Sequence, residues 1–247
     1  MGRAKEIVVK VIPKKLADDF VRKHHYSGKI DPRSFLHFGV FLDNRLHGAI
    51  QLGPSIQKHA SILLVEDTEW NGFCEISRIA FDDVLPRNSE SRAISIMMRM
   101  LKKQAPHLEW VVSYADGAQC GDGSIYRASG FHLIDIKKNN SMWLMPDGKV
   151  LCSLVFSASF SPNSKNDQTK QYGKVGEKRS WPAIKFLRSI GAEPIPGFQL
   201  KYIYFLNPKA KERLNTPILP FSQIDKIGAG MYKGERITIE QRQAVVA

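Results

Sequence analysis

Three cysteines in 247 residues are too few, and Cys74, Cys120 and Cys152 too widely spaced, for a disulfide framework or a cysteine-built zinc site. Unpaired thiols in a reducing compartment follow from that scarcity, and the cytoplasm is the expected location. The chain also lacks any apolar run near the roughly 20 residues that span a bilayer. Its start, Met1-Gly2-Arg3-Ala4-Lys5-Glu6, leads straight into Ile7-Val8-Val9-Lys10-Val11-Ile12, so no secretory leader is expected. Glu6 stands where a myristoylation signal has Ser or Thr. Acidic charge is in short supply as well. Against 24 Asp+Glu stand 36 Lys+Arg, a net +12, and residues 161–247 hold 15 basic and 7 acidic residues, +8 of that total. A basic end of this kind suits a polyanion, although charge by itself fits a merely solubilising surface equally well.

What the chain does have is enough apolar content, 43%, to build a core, together with an alternation of strand and helix patterns. Strands are expected at Ile7–Ile12, Leu36–Leu42, Arg45–Leu52, Cys74–Phe81, Trp110–Tyr114, Phe131–Ile136 and Lys149–Phe156. The second and third flank Asp43-Asn44, a two-residue turn signal that predicts a hairpin. Helices are expected at Pro13–His24, Glu90–Gln104 and Gly123–Ser129. The second of these follows the capping residues Asn88-Ser89 and puts Ile94, Met97 and Leu101 on one face. A turn-rich stretch, Ser159–Asp167, divides an α/β catalytic core (1–160) from a basic C-terminal extension (161–247). The extension is expected to pack on the core, with a helix near Trp181–Ile190 and an aromatic strand Phe198–Leu206. No internal repeat is present.

Several short constellations carry chemistry. Glu75–Phe81 leads through a Pro-containing loop into a capped helix, and a helix N-terminus holds anions because its first N–H groups are unpaired and its dipole is positive there. Arg87, Ser89, Ser91 and Arg92 add donors to that loop, but the usual Gly-rich phosphate loop is missing. An ordinary strand–helix turn explains the segment about as well. His25-Tyr26, at the end of the first helix, offers an imidazole and a phenol for proton transfer or metal binding, although adjacent histidines at a helix end are more often plain surface. Asp116 closes an expected interior strand, where open α/β sheets place ligands; a turn cap is the alternative. Tyr126, after a glycine-flanked loop, either faces a cofactor or covers the core. His25, Tyr26 and Asp116 together have ligand types suited to iron or zinc. Phe198–Leu206 alternates rings with polar and basic residues, as stacking platforms for bases do, but a half-buried strand is the simpler reading. Nucleic-acid contact is therefore assigned to Lys178, Arg179, Lys185 and Arg188.

Many short motifs, in order, resemble the Mom family of phage DNA adenine-modification proteins. They are His25-Tyr26-Ser27-Gly28, Leu36–Leu42, Gln51–Ser55, Ile76-Ser77-Arg78, Leu85–Arg92, Ser113–Asp116, Ile125–Ser129, Pro196–Phe205 and Gly228–Tyr232, and they cover nearly the whole chain. The resemblance implies an acetyltransferase-like (GNAT-like) α/β fold, a mixed central sheet flanked by helices. It implies a transferase that converts adenine N6 in DNA to a carbamoylmethyl derivative, protecting phage DNA from restriction in the host cytoplasm. It also implies that His25, Tyr26 and Asp116 form a catalytic or iron-binding group, and that Arg78, Ser91 and Tyr126 bind the donor.

Plain acetyl transfer would leave an acetylamide, whereas a carbamoylmethyl group contains another nitrogen. Two donors are therefore considered, acetyl-coenzyme A with metal-assisted oxidation and glycyl-tRNA followed by rearrangement. In either route the enzyme must flip the adenine out or act on single strands to reach N6, and a base such as Asp116 must remove its proton. Two rival classes are an ordinary acetyl-coenzyme A-dependent N-acetyltransferase acting on a protein or small molecule, and a non-catalytic DNA-binding protein.

Overall fold

A computed structural model describes residues 2–153, 171–172, 183–233 and 235–237. The described residues hold twelve strands: β1 (Val8–Val11), β2 (Leu36–Leu42), β3 (Arg45–Gly53), β4 (Phe73–Phe81), β5 (Trp110–Asp116), β6 (His132–Lys138), β7 (Met142–Leu144), β8 (Val150–Cys152), β9 (Glu193–Pro194), β10 (Phe198–Phe205) and a short hairpin of β11 (Met231–Tyr232) and β12 (Glu235–Arg236). Seven of them form one mixed sheet in the order β1-β2-β3-β4-β5-β10-β6. Only β4 and β5 are parallel neighbours; the other pairs are antiparallel. Asp43 and Asn44 make the expected hairpin turn, both at positive φ (50° and 59°), a conformation that Asp and Asn tolerate better than most side chains.

Helices cover both faces. The β4-to-β5 crossover is α3 (Ser89–Gln104), which turns Ala93, Ile94, Met97, Met98 and Leu101 onto Cys74, Ile76 and Val111. Full burial of each of its Ile, Met and Leu side chains is worth on the order of 1.5–3 kcal/mol. On the opposite face α1 (Lys14–His24) packs Ala17 and Val21 against Ala49 and Ala80. Farther along that face Trp110 stacks on Phe73, ring centroids 4.2 Å apart. No helix among the described residues is long and apolar enough to cross a membrane.

One described strand from the chain after residue 161 belongs to this sheet. β10 inserts between β5 and β6, with Leu200, Tyr202 and Ile203 fully buried, so a division at 160/161 cuts through the central layer. A smaller three-stranded sheet, β8-β7-β9, lies beside the helix Ala183–Ser189 and shares a separate core of Trp143, Met145, Phe186, Leu187 and Ala192. Of the expected strand Lys149–Phe156, Val150–Cys152 is present and the part beyond 153 lies outside the described residues.

One irregularity positions everything that follows. β4 carries an extra residue, Ser77, opposite the Gln51–Leu52 step of β3. Such a bulge bends the strand that carries it. β4 pairs with β5 only from Phe73↔Trp110 to Ile76↔Ser113, while its pairing with β3 continues to Phe81. The two parallel strands therefore part immediately before the bulge.

Candidate active site in the β4–β5 cleft

The gap left by the parting strands is a cavity of about 300 Å³. His25 and Tyr26 reach it from the end of α1, Arg78 from β4, Tyr114 from β5, and Tyr126 from α4 (Ser124–Ala128). It therefore draws on both faces of the sheet.

His25 has left the helix, with extended φ and ψ (−81° and 135°), and its N–H still bonds the Val21 carbonyl at 2.9 Å. Its Nδ1 accepts the Ser27 backbone N–H at 3.1 Å and lies 2.8 Å from the Ser27 hydroxyl. An accepting Nδ1 carries no proton, so the neutral ring bears its hydrogen on Nε2. Burial, and secondarily the Arg78 charge, lowers its pKa to about 4, so the ring is neutral at physiological pH. The Tyr26 ring packs on it, centroids 4.2 Å apart. Although 54% of the Tyr26 surface is open, crowding around the phenol, with Cys120 and Asp116 nearby, holds its proton on well above the usual range; Arg78 opposes this. Arg78 ties the segment down, its Nε donating to the Lys29 carbonyl at 2.8 Å.

Tyr126 is buried, and burial likewise raises its pKa. Its helix starts at Gly123, φ 82°, where a Cβ would stand 2.4 Å from the Tyr202 ring. Only glycine fits so close an approach in that conformation.

Two expected site residues lie apart from this chamber. Asp116 ends β5 at the rim, outside the cavity wall, and its Oδ1 accepts the Ala118 N–H at 3.0 Å, the turn-capping role. Burial raises its pKa against the backbone N–H groups of Ala118 and Gln119, and it stays within electrostatic reach of the Tyr26 phenol. Ser91 instead lines a second groove, about 450 Å³, with Lys5, Arg87, Arg92 and Arg99. That groove runs along α3, whose first turn follows Asn88 at φ 68° with no side-chain cap. The Ser129 hydroxyl at the end of α4 bonds the Ser91 carbonyl at 3.1 Å, so α4 separates groove from chamber.

Lys185 and Arg188 are exposed on the helix Ala183–Ser189; Lys178 and Arg179 lie outside the described residues. Among the described residues no three His, Cys, Asp or Glu side chains gather as a metal-binding group. Of the expected ligand set, His25 supplies an imidazole, Tyr26 a phenol packed on it, and Asp116 a carboxylate engaged in its own turn. Missing from the sequence reading are Glu75 and Tyr114, one behind the chamber and one on its wall. A carboxylate inside the apolar run Phe73-Cys74-Glu75-Ile76 was the available signal.

The sequence pattern of the Mom protein family matches residues 6–223. A relative, the methylcarbamoylase Mom of Escherichia phage Mu, is 32% identical over 216 residues, spanning 87% of this chain and 82% of that protein. Among solved structures, the ribosomal-protein-S18-alanine N-acetyltransferase of Escherichia coli superposes with a TM-score of 0.42 and 9% identity, covering 81% of this chain and 94% of its own. A polyamine N-acetyltransferase of Drosophila melanogaster gives 0.43 and 10%, covering 81% and 99%.

Proposed function

Because this chain belongs to the Mom protein family, we propose that it is a transferase that modifies adenine N6 in DNA to the carbamoylmethyl derivative and so shields phage DNA from restriction. One observation carries the reading: His25, Tyr26, Arg78 and Tyr126 converge on a single chamber where β4 and β5 part. Its volume is that of a small-ligand pocket. It suits a flipped base, at an unstacking cost of about a few kcal/mol.

The two faces of the sheet take different partners. On the α3 side the cationic groove and the uncapped helix N-terminus receive the phosphates of the activated donor, since both features favour anions. Ser91 belongs to that arm, while Arg78 and Tyr126 meet the donor's reacting end. On the α1 side, neutral His25 offers its Nε2 hydrogen to a ring nitrogen of the base, and Tyr26 stacks beside it. Asp116 orients the turn that closes the rim and influences the Tyr26 phenol. Lys185 and Arg188 contact the phosphate backbone of DNA, which positions the duplex without selecting bases.

Two donors fit the groove's charge, acetyl-coenzyme A and glycyl-tRNA, because both present phosphates. The deciding experiment incubates full-length protein and DNA with each donor, isotopically labelled, and analyses nucleosides by mass spectrometry. Carbamoylmethyladenine carrying one label assigns the donor. Wild-type protein that leaves adenine unmodified with either donor sinks the reading.

A further inference from the structure

Glu75 is 5% exposed on β4, on the sheet face opposite α3, and among the described residues no Lys or Arg side chain bonds it directly. Burying a carboxylate without a paired cation is costly, so packing alone does not account for it. Polar groups border it toward the chamber. Oε2 accepts the Ile56 N–H at 3.3 Å, and the adjacent Ser55 hydroxyl interacts with the carboxylate. Ser55 Oγ lies 2.9 Å from Ser61 Oγ, each residue 2% exposed, and both hydroxyls interact with the Tyr114 phenol. Tyr114 follows Ser113, the last β5 residue paired with β4, and therefore stands on the wall of the chamber. On its other side Lys201 Nζ lies 5.5 Å from the ring centroid.

We propose that Glu75 is the terminal proton acceptor of the transfer, reached from the chamber through Tyr114 and the Ser55–Ser61 hydroxyl pair. The inference rests on the acyl-transfer reading above. Adenine N6 attacks the donor's carbonyl carbon and a C–N bond forms. As it forms, N6 yields one hydrogen to Tyr114 Oη, the phenol's own hydrogen passes to the serine hydroxyls, and a serine hydrogen passes to a Glu75 oxygen. The bond between carbonyl carbon and leaving group then breaks, the leaving group keeps the electron pair, and the proton held by Glu75 returns along the same chain to neutralise it. A neutral exocyclic amine is a weak nucleophile, so removing its proton during attack is where a base has most effect.

The groups facing Glu75 support this use. Asp31 comes from the loop before β2, Tyr114 from β5, and Cys74 precedes it on β4; Arg33 and Lys201 act at a distance from that same loop and from β10. The Arg33 Nε lies 3.5 Å from Asp31 Oδ1, so its charge is shared there. Burial is the largest influence and raises the proton affinity of Glu75, with Ser55, Ile56 and Arg33 opposing.

The test uses full-length protein, duplex DNA and whichever donor supports turnover, with rates measured across pH. Glu75→Gln is expected to lower kcat about 100-fold or more and to abolish the acid limb of the profile, with DNA affinity within about twofold. Tyr114→Phe interrupts the same chain and is expected to lose about 10-fold or more. A folded Glu75→Gln protein with near wild-type kcat and an intact acid limb overturns the proposal. If that variant does not fold, Tyr114→Phe decides, and a wild-type rate and profile there overturn it. A readout independent of turnover separates this idea from the functional reading. The infrared band of a buried, protonated carboxyl is expected to grow in wild type as pH falls through the acid limb, to be absent in Glu75→Gln and to be shifted in Tyr114→Phe and Ser55→Ala. A band that neither substitution moves means that Glu75 is not connected to the chamber.

Discussion

The two sides of the β4–β5 cleft differ in charge and in wetness. The α3 side offers exposed cations, Lys5, Arg87, Arg92 and Arg99, along an open groove. The α1 side offers a neutral imidazole, two phenols that hold their protons and a buried carboxylate. Phosphates are captured by cations at a solvated surface, whereas a weakly nucleophilic amine reacts best beside neutral donors and a buried base. One bulge at Ser77 creates the gap that brings these unlike environments together. On the function proposed above, binding charge and proton chemistry are kept on opposite faces of a single sheet.

That contrast can be broken at five points. The largest loss is expected from Arg78→Ala, which cuts the tie to the Lys29 carbonyl and frees the His25-Tyr26 segment. Misplacement of about 1 Å costs roughly 100-fold in turnover, and steady-state kinetics on DNA check it; a loss below about threefold means that Arg78 does not hold the chamber. Neutralising Arg87, Arg92 and Arg99 together to Gln acts on the other side. Donor KM should rise about tenfold with kcat unchanged, the pattern of lost uniform binding, and a fall in kcat instead would place chemistry in the groove.

Asp116 tests whether the rim belongs to the chemistry. Asp116→Asn keeps an oxygen for the Ala118 N–H, so turnover should stay near wild type. Asp116→Ala removes that bond, worth about 1 kcal/mol, and should lower turnover about fivefold. Equal and complete loss in both variants would return Asp116 to the role of proton acceptor. His25 supplies a pH signature. Its folded pKa of about 4 lies below the ordinary 6.5, so between these values the unfolded chain binds the proton and the folded chain does not. Stability linked to His25 is therefore intact above about pH 6.5 and lost as pH falls toward 4. The melting temperature of His25→Asn should fall less steeply than wild type over that window, and parallel curves would show that the ring is not buried neutral. The smallest effect belongs to Lys185→Gln with Arg188→Gln. DNA affinity should weaken similarly for all sequences, and the log–log salt slope should flatten by about one unit for each lost contact. An unchanged slope removes this helix from the DNA surface.

Much of the framework was legible in the order of residues because local forces decide it. The Asp43-Asn44 turn, the apolar stripe Ile94-Met97-Leu101 and the strands from Val8 to Lys138 need only backbone preference and nearest-neighbour periodicity. The position of β10 was not legible: its pattern announces a strand, but the choice between an appendage and a place between β5 and β6 depends on partners 60 or more residues away. Nor was the cleft, since a single extra residue at Ser77 leaves the pattern of apolar positions almost unchanged while moving two strands apart. The sequence by itself determined the strands of the main sheet and its larger helices, the excess of positive charge and the family's motif residues His25, Tyr26, Arg78 and Tyr126. Tertiary structure alone decided that these four share one chamber, that Ser91 faces a separate groove, that Asp116 caps a turn, and that Glu75 stands behind Tyr114. Side chains from distant segments acquire a common environment only when the sheet is assembled, and burial, which sets their proton affinities, has no counterpart in the unfolded chain.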